Sequence, residues 1–87
     1  MDEILLKKME QKIQDTISNK DDIQELIKSL STIDDSKSFA LGIIVGRLYN
    51  AFFYQSKRIL DREPTKQEFD EFLKFIENKK STLENLW

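Results

Sequence analysis

Phe39 to Tyr54 reads FALGIIVGRLYNAFFY, and the fold follows from how the rest of the chain covers it. Of its sixteen residues only Arg47 and Asn50 are polar, and it holds both of the protein's glycines, Gly42 and Gly46. Written as a helix, the segment places Leu41, Val45, Leu48, Phe52 and Ile59 on one stripe. Gly42, Gly46, Tyr49, Phe53 and Leu60 form the adjoining stripe, so together they span nearly half the surface. The remaining face carries Arg47, Asn50, Gln55, Lys57 and Arg58, but also Phe39, Ile43, Ile44 and Tyr54. The N-terminal half of this helix is therefore apolar almost all round.

Both flanks look made to cover it. Residues 1–41 contain neither Gly nor Pro, and Asp2 is placed to cap a helix start. Leu6, Met9, Ile13 and Ile17 follow at spacings of three and four, and Ile23, Leu26, Ile27 and Leu30 repeat the pattern. Met9, Thr16, Ile23 and Leu30 fall seven apart, as do Ile13, Lys20 and Ile27. That continuous frame favours one helix over about residues 2–30. Ser18-Asn19-Lys20-Asp21-Asp22 argues for a break, with Asn19 capping a second helix. Ser31 to Asp35 reads as a loop, and Asp35 or Ser36 caps the central helix, expected over about 36–62.

Pro64 marks the clearest boundary, and Thr65-Lys66-Gln67-Glu68 is a capping box. The last helix, about 66–86, presents Phe69, Phe72, Leu73 and Ile76, with Leu83 and Trp87 continuing the stripe. Short connections imply antiparallel neighbours. The expectation is one all-α domain, an antiparallel bundle of three long helices, or four if the first breaks near Asn19.

Composition narrows the function. With 87 residues the core is small, and such domains are commonly helped by disulfides, metals or self-association. The chain has no cysteine and no histidine, which removes disulfides, the ordinary zinc and haem ligand sets, and Cys or His catalysis. Self-association is the aid left, and a homodimer is favoured. The net charge of −2 gives no global attraction to nucleic acid or anionic lipid. The central segment would reach only about 24 Å, short of a ~30 Å hydrocarbon core, so no membrane span and a cytoplasmic location are expected.

Four groups of residues remain. Gly42 and Gly46 let another backbone approach closely, in the first instance a helix of the same chain. Phe39, Gly42, Ile43, Gly46, Tyr49 and Phe53 are the candidate interface, since two flanking helices leave part of the central one bare. Arg47, Asn50, Tyr54 and Arg58 form a polar cluster; an acidic partner on a neighbouring helix is the first expectation for Arg47, and an anion the second. Lys57, Arg58, Arg62 and Lys66 are a basic cluster beside Tyr54, read first as a solvated helix end and second as a nucleic-acid grip. The carboxylates Asp21-Asp22, Asp34-Asp35, Glu68, Asp70 and Glu71 lack the spacing of a calcium loop or a di-iron bundle. No cofactor and no catalysis are expected. The leading function is a small protein–protein interaction module. A nucleic-acid accessory protein is second, and a phosphometabolite-binding module centred on Arg47 is third.

Overall fold

The computed structural model describes residues 1–30 and 35–86. Those residues form α1 (Glu3–Ser18), α2 (Lys20–Lys28), α3 (Ser36–Leu60) and α4 (Lys66–Glu84), with no strand among them. The loop expected over Ser31–Asp35 lies outside the described residues except for Asp35, as does Trp87 at the end of the last stripe.

The first arm is two helices, which corrects the expectation of a single one. Asn19 leaves helical geometry at φ −102° and ψ 17°. Its side chain makes no cap for α2; Nδ2 instead donates backwards to the Asp15 carbonyl at 2.8 Å. Short polar side chains compete in this way for backbone groups and weaken a helix from within. The Asn19 carbonyl still accepts from Asp22 and Ile23, so α2 restarts at once. The hydrophobic frame survives the break in part: Met9, Thr16 and Ile23 are buried, and so are Ile13 and Ile27, but Lys20 and Leu30 on the same frame are exposed. A one-residue kink leaves the count along the frame intact.

The other helix ends are held by local chemistry. Asp2 accepts from the Ile4 and Leu5 amides, and Asp35 accepts from the Ser38 amide at 3.0 Å and its hydroxyl at 2.8 Å. Those bonds, the amide first, hold the Asp35 carboxyl below its ordinary range. Asp61 closes α3 in the left-handed region at φ 57°, a conformation that asparagine and aspartate tolerate better than most side chains. Thr65 and Glu68 then complete the capping box that opens α4.

Two ion pairs give the helix directions. The Met1 amine meets Glu71 at 2.7 Å and Lys79 meets Glu10 at 3.0 Å, so α1 and α4 run the same way. The α3 helix runs against both. Tyr49 lies beside Phe72 while Leu41 shares a cleft with Leu83; Lys12 shares one with Asn50, while Ile27 shares one with Ala40. The result measures 41 × 22 × 21 Å. No described helix is long and apolar enough to cross a membrane.

The core is a line of every fourth residue on α3: Ala40, Ile44, Leu48, Phe52 and Ser56. Leu5, Met9 and Ile13 join it from α1, Ile23 and Ile27 from α2, and Phe72, Phe75 and Leu83 from α4. Phe52 stacks on Phe72 with centroids 4.5 Å apart. This line is rotated from the expected stripes. Ile44, read as partly bare, has no exposed surface, whereas Val45 is 39% exposed. On the flanks Leu5 is buried in place of Leu6, and Phe75 in place of Leu73. In each case two apolar residues lie close in sequence, and only the neighbouring helix decides which one faces inward.

Candidate functional site

An open, largely apolar surface lies along the outer side of α3. Phe39, Gly42, Gly46, Tyr49 and Phe53 follow one another at spacings of three, four, three and four. That is the seam geometry of packed helices, and it is distinct from the buried line. Phe39, Gly42, Gly46 and Tyr49 are exposed and Phe53 is half-buried. Beside them, Val45 and the exposed Leu73 border an apolar cleft of about 320 Å³ between α3 and α4.

Neither glycine on this seam is explained by the chain itself. Both have negative φ, so no backbone conformation demands them. A Cβ added at either would meet no atom within 4 Å. Close packing of Gly42 and Gly46 against a helix of the same chain was the first expectation, and it is overturned. Ile43, also in the candidate interface, is half-buried and packs partly against the core. Tyr49 stays at its edge, with its ring 6.1 Å from Phe69 and 6.0 Å from Phe72.

On the other flank of α3 the polar cluster comes together in part. Arg47, Asn50 and Tyr54 line one groove of about 250 Å³, joined by Ala51 and Gln55 and, from α1, by Lys12. Arg58 does not line it. The expected acidic partner of Arg47 is not found: among the described residues no carboxylate lies within 4.0 Å of Arg47 or Lys12. Gln55 adds an Oε1 atom that is buried without a hydrogen-bond partner. Sequence reading missed Lys12 and Gln55 as parts of this groove. Lys12 belongs to another helix, and the only signal for it was its place one turn from the α1 stripe.

The basic cluster is largely engaged. Arg62 binds Glu68 through both terminal nitrogens, at 2.6 and 3.1 Å, and Lys66 pairs with Asp70 at 2.7 Å. Lys57 lies over the Phe53 ring, 5.8 Å from its centroid. Arg58 alone of the four has no such partner among the described residues. Four of the carboxylates have partners too: Asp35 and Glu68 cap helices, Asp70 takes Lys66, and Glu71 takes the Met1 amine, while Asp34 lies outside the described residues. Among the described residues no group of acidic side chains is placed to hold a metal ion.

Comparison with protein-family models, with curated proteins and with solved structures gave no match. Any functional reading therefore rests on the two flanks of α3.

Proposed function

We propose that this chain is a small helical interaction module that pairs with a second copy of itself through the outer seam of α3. The observation that carries the reading is the state of Gly42 and Gly46. Each costs about 1 kcal/mol relative to alanine in a helix interior. Neither backbone conformation nor contact within the chain accounts for that cost. A helix brought against the bare backbone from outside does account for it.

The surroundings support a second copy as that partner. A two-fold axis through Gly46, the middle residue of the seam, sets Phe39 and Gly42 of one copy against Tyr49 and Phe53 of the other, since the same patch meets itself. Val45 and Leu73 then lose water on the same face. Burying such a patch contributes about 25 cal/mol per Å² of apolar surface, before the cost of association. The module has no catalytic role in this reading. Nucleic-acid binding ranks below it, because Arg62, Lys66 and Lys57 are already engaged.

Light scattering across a hundredfold concentration range tests the proposal. The expected mass approaches twice the 10.3 kDa of one chain as concentration rises. Gly46→Leu, which fills the axis, is expected to return it to one chain without loss of helicity. A wild-type protein that stays at a single chain mass throughout the range would sink the reading.

A further inference from the structure

The groove between α1 and α3 is a second site, and none of its lining residues belongs to the seam, although Asn50 lies one turn from Gly46 on α3. From its walls we infer that it binds the phosphate group of a small phosphate monoester. Lys12 and Arg47 reach it from different helices, and its lining contains no aspartate or glutamate. In a protein with net charge −2 this is a local concentration of positive charge. Both cations are half-buried. Partial removal from water makes an unpaired charge costly and strengthens its attraction to an anion. Most of the other lysines and arginines also lack a carboxylate within 4.0 Å among the described residues, but those are exposed, whereas Lys12 and Arg47 are unpaired and half-buried.

The remaining groups fit a tetrahedral dianion. A phosphate monoester carries about −1.5 to −2 near pH 7, matching one lysine and one arginine. The guanidinium fork takes two oxygens and the ammonium takes a third as a point charge. Asn50 and Tyr54 supply neutral donors at the rim. The unpartnered Gln55 amide lies in the same wall. Tyr54, 62% exposed, offers a ring face to the organic part of the ligand. A groove of about 250 Å³ admits a small molecule, being below the ~300–1,000 Å³ usual for drug-sized ligands.

Titration of the ¹⁵N-labelled full chain with inorganic phosphate and with AMP, at ionic strength held constant with sodium chloride, tests this. The expected result is saturable shifts at the Asn50 and Gln55 side-chain amides and along residues 47–55. Arg47→Gln and Lys12→Gln, on separate helices, should each weaken binding by at least about tenfold, the loss of one charged hydrogen bond. The thermal midpoint of the unliganded protein should move little in at least one of them. Absence of saturation with both probes, or equal affinity in both variants and the parent, overturns the inference. So does binding of a single-stranded oligonucleotide with no response to either inorganic phosphate or AMP, because a diester strand is a different class of ligand.

Discussion

Arg62 reaches across the α3–α4 turn and takes both carboxylate oxygens of Glu68, at 2.6 and 3.1 Å, while Glu68 Oε1 also accepts the Thr65 amide at 2.8 Å. One carboxylate thus serves a salt bridge and a helix cap together. These bonds, that with Arg62 first, lower the Glu68 pKa from 4.5 to about 2. A folded-state pKa below the ordinary value means that the contribution is complete above about pH 4.5 and is lost as pH falls toward 2. Stability should therefore rise with pH across that window, more steeply in the parent than in Glu68→Gln. Urea unfolding of both proteins at several pH values reads the difference; parallel curves would remove Glu68 as a source. The pair is partly in solvent, so its share is modest and falls with added salt.

Thr65 supports the same corner from the other side, its hydroxyl accepting the Glu68 amide at 3.2 Å. Thr65→Ala should cost about 1 kcal/mol of unfolding free energy. Thr65→Ser, which keeps the acceptor, should recover most of it in the same denaturation experiment.

Phe72 and Leu73 are adjacent but opposite in consequence. Phe72 is buried against Phe52, so Phe72→Ala should cost roughly 3–5 kcal/mol. That is a large part of the ~4–13 kcal/mol typical of a chain this size. Leu73 is 47% exposed, and Leu73→Ala should change monomer stability by less than about 1 kcal/mol. Denaturation at high dilution checks both; a large loss at Leu73 would show that it is covered by the monomer.

Gly46→Ala should stabilise the isolated chain. The added methyl meets nothing within 4 Å and the backbone is already helical. The gain is about 1 kcal/mol, or roughly 4–8 °C in the thermal midpoint. A drop in the dilute monomer would mean that the site is crowded after all.

Ser56 is wholly buried and its hydroxyl has no hydrogen-bond partner. Ser56→Ala removes an unsatisfied polar group and improves helix propensity, so stability should rise by roughly 1 kcal/mol. A loss of similar size in the urea midpoint would show that the hydroxyl is satisfied in solution.

The local signals were legible because they depend on neighbours a few residues away. Asp2, Asp35 and the Thr65–Glu68 box all cap where their side chains sit three residues from an orphan amide. The seven-residue frame marked buried positions at Met9, Thr16 and Ile23 and at Ile13 and Ile27, across the break at Asn19, but not at Lys20 or Leu30, which are exposed. The break itself was open in the sequence, since a frame counts side chains and says nothing of hydrogen-bond continuity.

What the sequence by itself determined was the helical class, the capped helix starts and an apolar central segment too rich to be covered by its flanks. Tertiary structure alone decided which side of that segment became the core. Phe39–Tyr54 is apolar nearly all round, so its periodicity has no preferred face; the positions of α1, α2 and α4 selected Ile44 and left Gly42, Gly46 and Tyr49 outside. The same placement set Lys12 beside Arg47. Residues on different helices meet only when the chain reverses direction, and no spacing along one helix records that meeting.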